Sequence, residues 1–260
     1  MAEWIRGYIP HLEHYIEPFF GGGAVFFALS KRPKHSVLND IDGQVVNLFR
    51  VMRERGLELA EQIAATPWAR EEYEKSFEAT DDPMEQARRF MVMLWQSHNA
   101  AGPIRRNAQG WKHQAASAMF MPLPRTWKTV PLRVLECMAM LADSEIENRP
   151  AVDVIRRHQS PDAVIYADPP YPLATRSGKL YVHEMTDDHH VELLAALNDH
   201  TGPVVLSGYD CDLYNSRLEH WKRMERQMLA EKGQKRTEVL WLNPVCSSIT
   251  DHGPLFNSHG

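Results

Sequence analysis

The sequence holds little cysteine, and what there is forms no pair: Cys137, Cys211 and Cys246 lie far apart, with no CxxC spacing. A disulfide framework and a structural zinc site are both excluded on that ground, and a reducing compartment is expected. No apolar run approaches the roughly 18 residues that a membrane span needs. The longest near the start is only Ala24 to Leu29, and no charged-then-apolar signal follows Met1. A cytoplasmic location is therefore the expectation. The chain has no GxxxxGK[ST], which disfavours a triphosphate-binding P-loop, and it has no internal repeat or low-complexity tract. Disorder is excluded by composition: 43% of its 260 residues are hydrophobic, 24% are charged, and the net charge is only −5. That length allows one large domain or two modest ones.

One absence is local. From Gln86 through Leu135 there is no Asp or Glu, while the same stretch carries eight Lys or Arg and leaves −13 on the rest of the chain. The eight are Arg88, Arg89, Arg105, Arg106, Lys112, Arg125, Lys128 and Arg133. A charge run is often no more than a solvated face. Here the cations are interleaved with Asn99, Asn107, Gln109, Trp111, Gln114 and Trp127. Cations bind phosphate, amides read base edges, and tryptophan stacks or wedges, so the stretch suits nucleic acid.

Turning to what is present, Trp4 to Leu12 reads as a short helix. Tyr15 to Pro18 reads as a strand end, Phe19 to Gly23 as a glycine turn, and Ala24 to Leu29 as the start of a helix. Ser36 to Leu38 is a short strand ending in Asn39-Asp40. Helices are expected near Val45 to Met52, Glu58 to Trp68 and Glu71 to Phe77. Others should run from Asp82-Pro83 and over Leu132 to Leu141. Ala100 to Pro124 reads as loop-rich. Val164 to Ala167 and Val204 to Ser207 read as buried strands. Thr186 is placed to cap a helix, and Lys232-Gly233-Gln234 is placed to turn a hairpin. His183, His189 and His190 are expected at the surface. This order predicts an open α/β sheet. A mostly α-helical insertion, residues 54–140, would divide a sheet domain made of 1–53 and 141–260.

Two motifs carry chemistry. In Glu17-Pro18-Phe19-Phe20-Gly21-Gly22-Gly23, glycines between a strand and a helix let a ligand approach the backbone closely. Asp40 follows 23 residues after Glu17 at the next strand's tip, a spacing suited to ribose hydroxyls. The turn alone says little; with the acid it points to a nucleoside cofactor. The second motif is Asp168-Pro169-Pro170-Tyr171, directly after a buried strand. Two prolines stop the strand and fix the backbone. The carboxylate and the Pro169 carbonyl are then two acceptors beside an aromatic face. An exocyclic amine donating to both has its lone pair drawn out of conjugation and can attack an electrophile, while Tyr171 stacks on the base.

These residues resemble the α-class, Dam-type adenine-specific DNA methyltransferases. The resemblance runs through EPFFGGG (Glu17 to Gly23), LNDID (Leu38 to Asp42), IENRPAVDVI (Ile146 to Ile155), VIYADPPY (Val164 to Tyr171), VVLSGY (Val204 to Tyr209) and TEVLWLNP (Thr237 to Pro244). It implies a Rossmann-like methyltransferase sheet, S-adenosylmethionine as cofactor, the N6 amine of a flipped adenine as acceptor, and double-stranded DNA as partner. It also implies an insertion that acts as target-recognition domain. The implied cofactor residues are Glu17, Phe19, Gly21, Gly23, Asp40 and Asp168; the implied catalytic set is Asp168, Pro169, Pro170 and Tyr171. Arg105, Arg106, Asn107, Trp111, Lys112, Arg125 and Lys128 become the DNA-binding candidates. No metal and no obligate protein partner are implied, and a monomer is expected. Members of this family usually begin with a Lys-Trp-x-Gly-Gly-Lys segment; here Trp4 to Pro10 resembles only the helix after it. A DNA-binding relative with weak or no transfer, and an RNA adenine methyltransferase, stand as alternative expectations.

Overall fold

The computed structural model describes residues 1–98, 110–113, 122–175, 181–229 and 235–251. Its chain divides into two compact units, one of residues 1–41, 143–179 and 184–260, the other of 42–142 and 180–183.

The first unit is built on a seven-stranded sheet. Its strands are β1 (His14–Glu17), β2 (His35–Asn39), β3 (Ser144–Glu147), β4 (Ala163–Ala167), β5 (Val204–Tyr209), β6 (Lys222–Leu229) and β7 (Lys235–Leu242). They lie in the order β3-β2-β1-β4-β5-β7-β6. All pairings from β3 across to β5 are parallel, and β7 is antiparallel to both of its neighbours. The strand order reverses between β1 and β4, so ligands are expected outside the carboxyl ends of those two strands. With helices packed against it, this is an open Rossmann-like α/β sheet.

Register sorts the side chains onto two faces. Ile16 lies beside Ile165, Ile165 beside Val204, and Leu206 beside Trp241. That face packs on helix α7 (Ala151–Arg157) and helix α8 (Asp187–Asn198) through Val154, Ile155, Leu193, Leu194 and Leu197, all buried. Each fully buried aliphatic side chain of this kind contributes about 2 kcal/mol. Thr186 caps α8 as its position predicts: its hydroxyl accepts from the His189 N–H at 3.3 Å, and its own N–H donates to His189 Nδ1 at 3.3 Å. His190 is not at the surface. It is buried under α9 (Asp212–Arg217) with Nδ1 2.9 Å from the Tyr214 hydroxyl.

The opposite face of the central strands is polar toward its carboxyl end. Tyr15 and Glu17 on β1, Tyr166 on β4, and Ser207 and Tyr209 on β5 alternate with the apolar set above, and Glu238 on β7 lies directly across from Tyr209.

Three elements differ from their sequence signals. The helix expected over Trp4 to Leu12 is only α1 (Ala2–Arg6), followed by Gly7 and Pro10. The helix expected from Ala24 is a single 3-10 turn, Phe26–Ala28. Strand β3 gives no strand signal, because its sequence SEIE has one apolar residue and two acids. It is an edge strand, paired only with β2, and an edge tolerates charge.

The second unit is helical: α2 (Gly43–Ala65), α3 (Arg70–Lys75), α4 (Pro83–Gln96), α5 (Leu123–Trp127) and α6 (Val130–Leu141). It begins at Asp42 rather than at residue 54, because α2 runs on from a cap in which the Asp42 carboxylate accepts from the Gln44 N–H at 2.9 Å. Asp82 caps α4 in the same way at 3.0 Å, with Pro83 in its first turn. The two helices expected near Val45 and Glu58 are one helix, bent at Arg55 (φ −137°, ψ 33°). Beside the bend, a Cβ on Gly56 would stand 2.7 Å from Met138 Sδ, so a side chain there would push α6 away.

Candidate active site

The glycine turn after β1 is closed by the tip of β2. The Gly21 N–H donates to Asp40 Oδ2 at 2.8 Å, and the Phe20 N–H donates to the Asn39 carbonyl at 2.8 Å. Buried Asn39 ties the two ends together: its Nδ2 donates to the carbonyls of Pro18 and Arg149 at 2.9 and 3.0 Å. Its Oδ1 accepts from the Arg149 N–H at 2.9 Å. Asn148 Nδ2 in turn donates to the Asp40 carbonyl at 2.7 Å. Asp40 is thus held at its carboxylate by the Gly21 N–H and at its carbonyl by the Asn148 side chain, and it remains half-buried. Gly21 and Gly23 have φ of 48° and 63°, a region that L side chains rarely adopt. Gly21 and Gly22 are exposed with open space where a Cβ would be, whereas Gly23 is buried against Phe20 and Phe27. Phe19 is half-buried and packs on the apolar face of the sheet.

Glu17 lies behind this turn, 2% exposed, and accepts from the Tyr15 hydroxyl at 2.7 Å. Burial pushes its pKa well above the ordinary carboxylate range; the tyrosine bond opposes that, and the negative charges of Asp168 and Asp40 add to it. Glu17 therefore senses both other acids at the carboxyl edge of β1, β2 and β4.

Asp168 follows β4 immediately. Ser207 Oγ lies 2.8 Å from Asp168 Oδ1 and 3.3 Å from the Ala167 carbonyl, and the Tyr166 hydroxyl is 3.2 Å from Ser207 Oγ. Protein crowding raises the Asp168 pKa, while hydrogen bonds from Ser207, Tyr171 and Tyr166 lower it. The residue is nonetheless open to solvent, and that access limits the rise. Pro169 is buried and Pro170 half-buried. Tyr171 donates its hydroxyl to Glu238 Oε2 at 3.2 Å, and its ring meets Tyr209 edge-on, centroids 4.4 Å apart. Such an elbow presents an accessible carboxylate and an aromatic ring at the strand end, suited to hold a flat heterocycle by an amine and a face. Motif reading did not single out Ser207, Tyr209 or Glu238. The polar side chains of Ser207 and Tyr209, two apart and so on one face of β5, and of Glu238 next to the apolar stretch of β7 are the signal that could have found them.

The DNA-binding candidates fall on the helical unit. Arg125 and Lys128, on and just after α5, are exposed. Trp111 is half-buried: its Nε1 donates to Gln96 Oε1 at 3.0 Å, and the Arg70 guanidinium lies 5.1 Å from its ring centre. Lys112 is half-buried, and its backbone pairs with Gln96 and Trp68. Arg105, Arg106 and Asn107 lie outside the described residues. Two cations of the acid-free stretch are already engaged. Arg88 pairs with Glu85 and Glu72 at 2.7 Å each, and Arg89 pairs with Glu85 at 2.7 Å. Those bonds hold the Glu85 pKa down to about 2.

Against known proteins, residues 1–231 match the family model of the D12 class N6 adenine-specific DNA methyltransferases. The chain is 29% identical over 203 residues to the Type II methyltransferase M1.LlaDCHI of Lactococcus lactis subsp. cremoris, covering 69% of this chain and 67% of that protein. Among solved structures, an rRNA methylase from Streptococcus thermophilus overlays with a TM-score of 0.40 at 8% identity, covering 93% of this chain and 92% of that one. A putative methyltransferase, yhhF, from Escherichia coli overlays with a TM-score of 0.35 at 12% identity, covering 88% and 75%. The fold assignment rests on strand order and register, not on these overlays.

Proposed function

Since the chain belongs to the D12 class of N6 adenine-specific DNA methyltransferases, enzymes that methylate the N6 amine of adenine in DNA, we propose that S-adenosylmethionine binds along the Glu17–Gly23 turn and Asp40. The target adenine would be gripped by the Asp168–Tyr171 elbow. The observation that carries this reading is the convergence of Glu17, Asp40 and Asp168 at the strand-order reversal.

The residues present fit that cofactor. A sulfonium and an ammonium are cations, and carboxylates gathered at one edge favour a cation beside them, as the raised proton affinity of Glu17 near Asp168 and Asp40 reflects. Asp40 is an acceptor for hydroxyls, and the open glycine turn admits a nucleoside next to the backbone. When bound, the cofactor supplies an electrophilic methyl group; the rest of the work belongs to the chain. Asp168 and the Pro169 carbonyl accept the two N–H bonds of the amine, which localises its lone pair. Tyr171 stacks on the flipped base, replacing part of the stacking it leaves. The exposed cations of the helical unit bind the phosphates of double-stranded DNA, and that unit selects the target site.

Cofactor affinity should depend on pH. Below its raised pKa, Glu17 is protonated in the ligand-free protein, and a cation must displace that proton on binding. Affinity for S-adenosylmethionine therefore rises with pH and levels off once Glu17 is ionised, above the ordinary carboxylate range. Calorimetric titration in buffers of different ionisation enthalpy measures both affinity and the protons released. Asp40→Ala should weaken binding about tenfold, the loss of one or two hydrogen bonds to a charged acceptor. No binding by the wild type, or an affinity flat with pH and indifferent to Asp40→Ala, contradicts the assignment.

A further inference from the structure

We infer that Ser207 and Glu238 are positioning residues that hold opposite ends of the Asp168–Tyr171 elbow, and so set the geometry of the methyl acceptor. The inference rests on the reading of that elbow as the grip on adenine. Pro169 and Pro170 fix the backbone of the elbow but not the rotation of the two side chains that flank them. Each flanking side chain is held from β5 and β7. Ser207, 3% exposed, has its Oγ 2.8 Å from Asp168 Oδ1. The serine is itself fixed by the Tyr166 hydroxyl at 3.2 Å. At the other end the Tyr171 hydroxyl donates to Glu238 Oε2 at 3.2 Å. The Tyr171 ring rests on Tyr209, two residues along β5 from Ser207 and directly across from Glu238. One antiparallel pair of strands thus braces both contacts that the base would make. A carboxylate turned out of line would accept the amine at a poor angle, and a tyrosine tilted from its plane would stack poorly. Small misplacements of this kind lower turnover without altering what is bound.

Ser207 also acts on the charge of Asp168, since a bond donated to a carboxylate favours its ionised form. Glu17 on β1, Tyr166 on β4, Tyr171 in the elbow and Tyr214 on α9 interact with the same carboxylate, and Asp40 reaches it through Glu17. All of these remain in a Ser207 variant, so a shift seen there belongs to the lost hydroxyl.

The test uses the full chain, S-adenosylmethionine and an adenine-containing duplex that the wild type methylates. Ser207→Ala should lower kcat by roughly 10- to 100-fold, the range of one hydrogen bond to a charged group. KM for both substrates should stay within a few-fold, and the acid limb of the kcat/KM profile should move to higher pH. Glu238 is only half-buried, so Glu238→Ala leaves the core intact and keeps the account falsifiable if the serine variant misfolds. It should lower kcat about tenfold, the loss of a hydrogen bond to a charged group. Glu238→Gln, which retains an acceptor, should recover most of that. Wild-type kcat with an unmoved acid limb in Ser207→Ala, or a Glu238→Gln variant no faster than Glu238→Ala, overturns the positioning roles. Asp168→Asn in the same series separates this from the underlying reading. An active Asp168→Asn removes the elbow as the site; an inactive one beside unaffected Ser207 and Glu238 variants removes only the bracing.

Discussion

Asp168→Ala should abolish methyl transfer, with kcat falling by about a thousandfold or more, while S-adenosylmethionine binding and duplex binding should change by no more than a few-fold. The size follows from what the carboxylate does. Removing one preorganised hydrogen-bonding group that acts on developing charge costs on the order of 10²- to 10³-fold in kcat. In the proposed mechanism the same group also accepts the amine's hydrogen bond and orients the base. The loss belongs to turnover rather than folding, because Asp168 is exposed and makes no part of the apolar core. Asp168→Asn separates charge from shape: it keeps an acceptor oxygen but removes the negative charge, and kcat should fall by roughly a hundredfold. Steady-state rates with circular dichroism as the folding control measure both. An Asp168→Ala variant retaining a tenth of wild-type kcat would remove the carboxylate from the chemistry.

Gly23→Ala should be the most damaging single-methyl change in the cofactor turn. Gly23 has φ of 63°, and a Cβ there would lie 2.5 Å from Phe20 Cζ, 2.7 Å from Phe27 Cε2 and 2.8 Å from Phe20 Cε2. Both rings pack on Phe26, with centroids 5.9 and 5.3 Å away, so making room for a Cβ disturbs that cluster. Overpacking costs about 1–3 kcal/mol, and the left-handed backbone adds about 1–2 kcal/mol for an L residue. The melting temperature of the sheet unit should drop on the order of 10 °C. Cofactor affinity should fall by more than tenfold, because the turn that carries the Gly21–Asp40 bond must shift. Gly22→Ala is the control for stability: nothing lies within 4 Å of its Cβ and its φ is not positive, so its melting temperature should match the wild type. Equal melting curves for the two variants would refute the packing argument.

The candidate edge was legible in the sequence because the residues that form it are local. A glycine turn, an acid at the next strand's tip and a Pro-Pro stop after VIYA each declare themselves within a few residues. The bracing of the elbow was not legible, because it depends on register. Only the pairing of Tyr209 with Glu238 brings a β7 carboxylate to Tyr171, and no motif encodes which residue of one strand faces which of another. Strand β3 was hidden for a related reason. Glu145 pairs with His35, and Glu147 with Arg149 and Arg157, so the charges that mask its strand character are solvent-side contacts of an edge. The basic tract shows the opposite failing, a signal stronger in sequence than in space. Counting from Gln86 leaves out Glu85 by one residue. On a helix that acid sits one turn from Arg88 and Arg89 and neutralises part of the run. The cationic character available to a phosphate backbone is therefore concentrated after α4, at exposed Arg125, Lys128 and Arg133 among the described residues.

The most direct measurement is transfer of a labelled methyl group from S-adenosylmethionine to duplex DNA, followed by base-resolution mapping of the product. The account predicts label on adenine N6 within a defined sequence context for the wild type, and none for Asp168→Ala. Label on cytosine, or equal labelling of adenine by both proteins, would contradict it.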